Sequence, residues 1–368
     1  MISPFAPITI EGINIRNRFM RSATWDSTAT DDGEVTDASV KIIEDLARGG
    51  VGLIVTGFAY VSEHGKAVLR QLGIFHDRHI EGMRRLVNAA HDHDAKIAAQ
   101  IAHAGINLLR VDHAGRTALA PSKTEAFHAP HRAMTSVEVE GIVRDFGAAA
   151  ARAREAGFDV VQLHGAHGYL MSQFLSPLTN RRTDEWGGSP ERRRRFHVEV
   201  MRSVRQAVGD DYPVWIKLGL RDRRRGGLRL SEGIEALKAM TTEGLSAVEV
   251  STGFGGRSAQ VRRPEDEERA YFREDSAEAK RAVDIPVMLV GGIRSLSMAE
   301  DILRCGDADM ISMSRPLIRE PALIARWQRG DTAPAKCISC NKCFEFGARG
   351  EPLECGEERR LREEAADG

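Results

Sequence analysis

The stretch "DVVQLHGAHGYL", residues 159–170, contains the pattern from which the fold can be inferred. It starts as a short run rich in valine and stops abruptly at His164 and Gly165, with His167 and Tyr169 close behind. Short β-branched runs bounded by glycine are typical of buried strands. A helical pattern follows at 189–209, so the stretch predicts a strand that leads into a helix.

Seven further runs of this kind occur, and segments with helical patterning, such as 136–157, separate them. The eight predicted strands are "RFMRSAT" (18–24), "VGLIVTGF" (51–58), "KIAAQIAHAG" (96–105), "DVVQLHG" (159–165), "PVWIKLG" (213–219), "AVEVSTG" (247–253), "PVMLVGG" (286–292) and "ADMISMS" (308–314). Eight such units predict an α/β fold, the closed (β/α)₈ TIM barrel. A doubly wound open sheet is the alternative, with fewer strands expected.

Two segments flank this repeat. The opening "FAPITIEGINIRN" (5–17) predicts an N-terminal β-hairpin that plugs the barrel floor. Residues 1–330 are therefore expected to form the barrel, and residues 331–368 a short cysteine-rich C-terminal extension. Long insertions at 106–134 and 254–275 follow strands three and six, so both are expected over the C-terminal mouth; the second is interpreted as a lid or a pocket wall.

Composition limits the classes of partner. The chain has 368 residues, is 42% hydrophobic and has a formal net charge of −1, which does not suggest nucleic acid or an acidic membrane surface. No apolar run reaches the roughly 18 residues of a membrane span, and the N-terminus has no signal-like leader, so a cytoplasmic protein is expected. The run Arg192–Arg195 is interpreted as a solvated or locally paired helix face. A small-molecule substrate is the expected partner, and a homo-oligomer remains open.

Polar residues stand near the C-terminal ends of three predicted strands. These are Gln100, His164 and Lys217, and barrel active sites lie at that end. Gln162 shares the face of His164, because alternate residues of a strand point the same way. Each residue alone has a structural explanation, but three of them on different strands indicate a site.

Two further strand ends indicate a phosphate site. "LVGGI" (289–293) ends strand seven and "MSRPL" (313–317) ends strand eight, where many barrels hold phosphate on backbone N–H groups. Gly291 and Gly292 would let the backbone approach a ligand closely, and Arg315 would add charge-assisted contacts.

The stretch "HGAHGYLMSQFLSPLTNRRTDEWGGSPERRRRF" (164–196) closely resembles the signature of the Old Yellow Enzyme family, the FMN-dependent ene-reductases and their relatives. "NRFMRSAT", "AQIAHAG", "VWIKL" and "LVGGI…SMSRPLI" match that family's strands one, three, five, seven and eight in order. The resemblance covers about residues 1–330. It implies a barrel that binds FMN non-covalently at its mouth and uses NADH or NADPH as electron donor.

The resemblance also implies roles for individual residues. Those expected around the flavin are Ser22, Ala23, Thr24 and Phe58 beside the ring, Gln100 and Lys217 at its pyrimidine edge, and Gly291, Gly292, Ser314 and Arg315 at the phosphate. Many relatives have cysteine or threonine beside the flavin where this chain has Trp25, which is therefore expected to shape the substrate pocket.

These assignments suggest why two histidines stand three residues apart. An α,β-unsaturated carbonyl compound would receive hydride at its β-carbon, and His164 and His167 would stabilise the charge that develops on the carbonyl oxygen. Tyr169 would donate a proton to the α-carbon. The family also contains oxidative demethylases of amines, so the direction of the reaction stays open.

Two other classes of function remain open. One is a metal-dependent hydrolase in the same barrel, with His164 and His167 as ligands, although the other strand ends offer few further ligands apart from His103. The other is a flavin-binding protein without catalytic activity. A flavin that copurifies with the protein would exclude the hydrolase.

Four of the five cysteines lie in "CISCNKCFEFGARGEPLEC" (337–355). Cys337, Cys340, Cys343 and Cys355 resemble the cluster-binding segment of the family's iron–sulphur branch, which includes trimethylamine dehydrogenase and dienoyl-CoA reductase. The close triplet favours a [4Fe–4S] cluster, with zinc or unmetallated thiols as alternatives. Because those relatives continue into a nucleotide-binding region, such a cluster is expected to exchange electrons with a separate protein or to be structural. Cys305 is expected to lie in a helix and to belong to the protein core.

Overall fold

The computed structural model describes residues 2–108, 117–125, 129–255 and 269–366. The strands are β1 (Ile8–Ile10), β2 (Ile13–Ile15), β3 (Phe19–Arg21), β4 (Leu53–Val55), β5 (Ala59–Tyr60), β6 (Lys96–Ala102), β7 (Ala118–Ala120), β8 (His131–Ala133), β9 (Val160–Gly165), β10 (Val214–Gly219), β11 (Ala247–Ser251), β12 (Val287–Val290) and β13 (Met310–Met313). The helices are α1 (Asp37–Arg48), α2 (His79–His91), α3 (Ser136–Ala156), α4 (Leu170–Leu175), α5 (Pro190–Val208), α6 (Leu230–Thr242), α7 (Arg273–Ala282), α8 (Leu296–Cys305), α9 (Arg315–Arg319), α10 (Leu323–Gln328), α11 (Cys343–Ala348) and α12 (Gly356–Ala366).

Eight parallel strands close into a barrel. Their order is β3, β4, β6, β9, β10, β11, β12 and β13, and β13 pairs back onto β3. Each of the eight overlaps one of the predicted strands, so the (β/α)₈ barrel is confirmed and the open sheet is wrong. In the register of the barrel, Lys217 of β10 lies opposite His164 of β9 on one side and Glu249 of β11 on the other.

Local sequence signals explain where the longer helices begin and end. Thr135 caps α3 and forms a reciprocal capping box with Glu138, and Gly157 ends the helix with φ of 95°. Ser189 caps α5, and Pro190 occupies its first turn, where the missing N–H costs nothing. Both helices match their predicted ranges.

The N-terminal hairpin closes the barrel floor, as expected. β1 and β2 pair antiparallel, and Ile10 and Ile15 pack against inward-facing residues such as Trp215. The barrel is therefore apolar at this end, and any site must lie at the other.

Two further expectations are tested by the structure, and the one for the insertions is not. The proposed lid falls mostly on 256–268, outside the described residues, as do 109–116 and 126–128 of the other insertion. Arg193 lies buried against Glu232 at 3.0 Å, so part of the basic run is locally paired. The expectation that Cys305 belongs to the core is wrong: it is the last residue of α8, and its side chain is exposed. Among the helices that the structure describes, none combines the length and the apolar character that crossing a membrane requires.

Candidate active site

The turn after β9 places the two histidines. His164 ends the inward face of the strand, and His167 and Gly168 both adopt left-handed backbone, with φ of 62° and 75°. Such a conformation is uncommon for histidine and needs support from its surroundings. The N–H of His167 donates to the carbonyl of Thr252 at 3.0 Å, and its Nε2 lies 2.8 Å from Oγ of Ser251. The turn is thus held against the end of β11.

The rings of His164, His167 and Tyr169 form one cluster, in which His164 and Tyr169 are buried and His167 is half-buried. The His164 ring lies 5.1 Å from that of His167, edge to face, and 4.9 Å from that of Tyr169. Phe58 packs against both His164 and Tyr169. Among the described residues, nothing forms a hydrogen bond to Nδ1 of His164. The cluster therefore has unsatisfied hydrogen-bonding capacity at the barrel mouth.

Burial determines the protonation states of this cluster. Burial, and then the nearby charge of Lys217, lowers the pKa of His164 to about 3. Burial also lowers the pKa of His167 well below its usual value, with smaller contributions from Lys217 and His164. The pKa of Tyr169 is raised by burial. At neutral pH the site therefore holds two neutral imidazoles and a protonated phenol, which are donors for an oxygen atom and a potential acid.

A polar network lies beneath the cluster. Gln100 donates through Nε2 to Oε1 of Gln162 at 2.7 Å, and Gln162 donates to Glu249 at 3.1 Å. Lys217 lies 3.2 Å from Glu249 and donates to Oγ of Ser22 at 2.6 Å. Sequence reasoning missed Glu249, although a carboxylate two residues after Ala247 in a buried strand was a visible signal.

The segments that follow β12 and β13 also lie at the mouth, and the first of them has two consecutive glycines. Gly291 and Gly292 follow β12 with φ of 106° and 81°, and a Cβ added to Gly292 would lie 2.1 Å from the carbonyl oxygen of Arg269. Ser314 precedes α9, and its Oγ lies 2.7 Å from Oγ1 of Thr24. Arg315 donates to Oδ1 of Asn341 at 2.7 Å. Only glycine therefore fits at position 292.

All fourteen residues expected around the flavin and the substrate line one cavity of about 550 Å³. They are Ser22, Ala23, Thr24, Trp25, Phe58, Gln100, His164, His167, Tyr169, Lys217, Gly291, Gly292, Ser314 and Arg315. Residues not anticipated also line it, including Asn107, Ser251 and Phe272, together with Asn341, Phe344 and Glu345 of the C-terminal extension. The volume is within the usual range of cofactor sites, about 300–1,000 Å³.

Comparison with known proteins identifies the family. The model of the NADH:flavin oxidoreductase / NADH oxidase family matches residues 3–333. The chain belongs to this family. The expected relationship to the Old Yellow Enzyme family is thereby confirmed.

Individual members show how much of the chain the similarity covers. NADH oxidase of Thermoanaerobacter brockii is 37% identical over 341 residues, 92% of this chain and 52% of that protein. NADPH dehydrogenase of Geobacillus sp. (strain WCH70) is 37% identical over 324 residues, 86% of this chain and 91% of that protein. A solved structure of 2-naphthoyl-CoA reductase with 2-naphthoyl-CoA has a TM-score of 0.88 at 27% identity, covering 96% of this chain and 56% of that one. The chain thus spans about half the length of some flavin oxidoreductases and nearly all of others.

The residues present fit FMN as this family would hold it. The paired glycines leave backbone room at one end of the cavity, while Gln100 and Lys217 offer an amide and an ammonium group at the other. Aromatic and apolar side chains, such as Phe58, also line the cavity. The lining of the cavity therefore suits both the phosphate and the ring system of FMN.

The C-terminal extension packs against the same mouth. The N–H of Leu353 donates to the carbonyl of Asp26 at 2.7 Å, and a Cβ added to Gly347 would lie 2.8 Å from the Trp25 indole. The four cysteines at 337, 340, 343 and 355 line one small cavity beside Arg315 and Arg319. Burial, with Cys337 as the next cause, raises the pKa of the Cys343 thiol to about 12. Cys355 therefore lies beside the same small cavity as the three closely spaced cysteines, and Arg315 and Asn341 line both this cavity and the larger one.

The four cysteine side chains are not arranged as the ligands of a metal ion. In the ranges that the structure describes, no group of three or more His, Cys, Asp or Glu side chains has the arrangement of a metal site. The described cysteines are all free thiols. Because metal binding displaces thiol protons and draws ligands together, the raised pKa of Cys343 is that of the metal-free thiol.

Proposed function

We propose that this chain is an FMN-dependent oxidoreductase that reduces the C=C bond of an α,β-unsaturated carbonyl compound, with NADH or NADPH as electron donor. One observation carries the proposal. Two neutral imidazoles and a protonated phenol meet at the mouth of a barrel whose cavity also presents the glycine pair and Lys217. These are an oxygen-binding site, an acid and a cofactor site in one volume.

Within this proposal, each part of the cavity has a separate task. FMN, when bound, supplies the hydride. The residues that would hold its ring are Ser22, Ala23, Thr24 and Phe58, with Gln100 and Lys217 at the pyrimidine edge, and Gly291, Gly292, Ser314 and Arg315 would hold its phosphate. The backbone N–H groups and the guanidinium suit the doubly charged phosphate.

His164 and His167 bind the carbonyl oxygen of the substrate. As negative charge develops on that oxygen, two N–H donors in a buried site stabilise it more than water would. Because burial lowers both pKa values, the rings stay neutral at pH 7, and each can donate from its single ring N–H. In enzymes, removal of one donor of this type costs about 10²–10³ in rate.

Tyr169 donates the proton to the α-carbon. Its raised pKa keeps the phenol protonated at neutral pH, and its ring lies against that of His164. Trp25 forms a fixed wall of the substrate pocket, because its Nε1 donates to the carbonyl of Leu69 at 3.0 Å and its ring packs on Gly347. The pocket is therefore shaped partly by the C-terminal extension.

We further propose that residues 331–368 hold a [4Fe–4S] cluster on Cys337, Cys340, Cys343 and Cys355, and that residues 1–330 form the flavin domain. Supporting this are the four thiols around one small cavity and the contact of the segment with Trp25. Zinc is the alternative metal. Electron exchange with a separate protein, or with a further segment, would pass through this corner.

The flavin proposal is tested by purification and a spectrum. We expect flavin absorbance and release of FMN, not FAD, on denaturation, because the cavity has one phosphate end and no G-x-G-x-x-G stretch follows a strand. Gly292→Ala should weaken FMN binding by about tenfold or more. The matched control is Gly306→Ala, which introduces similar backbone strain, at φ of 72°, away from the cavity and should leave FMN binding unchanged. A colourless protein with no affinity for added FMN would overturn the proposal.

The substrate class is tested by flavin reoxidation. Protein reduced with NADPH is mixed with 2-cyclohexen-1-one, and we expect rapid reoxidation with formation of the saturated ketone. Oxidised protein mixed with trimethylamine serves as the opposite test. Reduction by the amine without turnover of any enone would replace the ene-reductase assignment with amine oxidation, and no turnover with either would favour a flavin-binding protein.

The cluster is tested by anaerobic purification and metal analysis. We expect about four iron and four sulphide per chain, lost in Cys343→Ser and kept in Cys305→Ser, since Cys305 is exposed on α8. One zinc per chain and no iron would overturn the cluster while leaving the flavin chemistry intact.

A further inference from the structure

Glu249 is a carboxylate at the centre of the barrel, and it is 0% exposed. Its Oε1 accepts from Oγ of Ser22 at 2.7 Å and from Oγ of Ser312 at 2.8 Å, and Nζ of Lys217 lies 3.2 Å away. Its Oε2 accepts from Nε2 of Gln162 at 3.1 Å. Four donors, three of them on other strands and Ser22 directly after β3, thus converge on one side chain, whose two oxygens act only as acceptors.

A buried ion pair at this position needs an explanation. Removing a carboxylate and an ammonium group from water costs several kcal/mol for each ion, and a well-packed apolar pair is often equally stable. Two residues earlier in the same strands, Trp215 and Ala247 occupy the interior with no such cost. The barrel can therefore be filled with apolar side chains, and Glu249 is retained where the interior meets the flavin cavity.

Lys217 connects this carboxylate to the cavity. The lysine is 3% exposed and lines the cavity, whereas Glu249 does not line it. Any group at that edge of the cavity therefore meets the lysine first and experiences the carboxylate through it. The second carboxylate oxygen acts on the same edge through Gln162, which accepts from Gln100, another cavity residue.

We propose that Glu249 is a positioning residue that holds Lys217 and balances its charge, and that it thereby lowers the reduction potential of bound FMN. The inference rests on the proposed flavin site. Reduced FMN carries more negative charge than oxidised FMN, so an unbalanced ammonium group would favour the reduced form. With the carboxylate 3.2 Å away, the pair has no net charge and this preference is smaller.

The reduction potential of FMN determines how much free energy is released in each of the two half-reactions, reduction of FMN and its reoxidation. A lower potential makes hydride transfer from FMN to an enone more favourable and transfer from NADH or NADPH to FMN less favourable. Glu249 therefore adjusts the free energies of both hydride transfers without contacting the substrate.

The experiment is a charge-balance cycle on the holoenzyme. The variants are Glu249→Gln, Lys217→Gln and the double variant, with Asp275→Asn as control, since Asp275 is an equally buried carboxylate paired with Arg221 and Arg223 outside the cavity. The midpoint potential of bound FMN is measured by equilibration with reference dyes, and FMN affinity by titration of the apoprotein.

Opposite signs are expected for the two single variants. Glu249→Gln should favour reduced over oxidised FMN by about tenfold or more, a rise of about 30 mV for a two-electron couple. Lys217→Gln should lower the potential, and the double variant and Asp275→Asn should stay near the parent. A purely structural role for the pair would change the stability of the three Lys217 and Glu249 variants without this alternation of the potential, and would leave Asp275→Asn near the parent.

Each alternative outcome has a separate meaning. An unchanged potential in Glu249→Gln that still binds FMN overturns the inference and leaves the flavin site standing. If Glu249→Gln does not fold, the comparison is between Lys217→Gln and the double variant. Equal midpoint potentials of FMN in these two variants would also overturn the inference, because the loss of Glu249 would then have no effect on the potential. Loss of FMN from all three Lys217 and Glu249 variants, with FMN kept by Asp275→Asn, would overturn the inference and assign the pair to flavin retention. A parent protein without FMN affinity would overturn the proposed function itself.

Discussion

The two ends of the barrel interior are built on the same strands and have opposite chemistry. Toward the floor, the hairpin covers an apolar layer that includes Met20, Trp215, Ala247 and Met310. Two residues further along those strands, the inward positions are Ser22, Lys217, Glu249 and Ser312, joined by hydrogen bonds. A shift of one side-chain repeat thus separates a layer that stabilises the fold from a layer that serves the site. The expectations that follow test this division, from the largest effect to the smallest.

Tyr169→Phe should affect chemistry at the mouth and little else. We expect the oxidation of reduced enzyme by an enone to slow by about 10²–10⁴, the usual contribution of a positioned acid. Reduction by NADPH should be unaffected, because no proton from Tyr169 enters that step. Stopped-flow measurement of both half-reactions checks this, and unchanged enone reoxidation would remove the proton-donor role.

Trp215→Ala should affect the floor and not the chemistry. Truncation of a fully buried tryptophan should lower the free energy of unfolding by about 3–5 kcal/mol. The matched control is Trp25→Ala, a partly buried tryptophan at the mouth, which should cost less stability but alter enone binding. Urea unfolding and ligand titration of both variants measure the difference; a larger stability loss at Trp25 would contradict the division of the barrel.

Lys217→Met combined with Glu249→Leu should separate stability from function within the polar layer. Replacing a buried ion pair with apolar residues is often neutral or stabilising by about 1–4 kcal/mol. We therefore expect unchanged or higher stability in the apoprotein. FMN should bind more weakly than in the glutamine variants, because methionine and leucine cannot form the hydrogen bonds of the polar layer. Thermal unfolding and FMN titration check both. A double variant that is strongly destabilised would show that the polar layer also holds the fold.

Lowering the pH should destabilise the protein through its buried histidines. Burial lowers the pKa of His103, His164 and His197 to about 3 each, so between about pH 6.5 and 3 the unfolded chain binds more protons than the folded one. Stability is then full above pH 6.5 and falls as pH decreases, by up to about 1.4 kcal/mol per pH unit for each ring. His197→Phe, away from the cavity, should flatten the slope by one proton without changing enone turnover; an unchanged slope would contradict the buried neutral state.

Much of this architecture was accessible from the sequence, for physical reasons that can be named. Short valine-rich runs determine strands, and Thr135, Gly157 and Ser189 mark helix ends through local hydrogen bonds. Parallel strands of a barrel all end on one face, so polar residues at strand ends had to meet. That rule predicts that Gln100, His164 and Lys217 share one cavity, and they do.

Other features depend on contacts between residues far apart in the chain, which no local pattern encodes. The ion pair joins Lys217 to Glu249 across neighbouring strands, and Ser22 reaches the same carboxylate from 227 residues away. The approach of Phe344 to the flavin cavity follows from the packing of the extension on Trp25, and the exposure of Cys305 from its place at the end of α8. The sequence by itself determined the strands, the direction of their side chains and the face on which they end, because these depend on local backbone preferences. Only the closed barrel decided which of those side chains share a proton, a charge or a ligand, because closure sets the distances between strands.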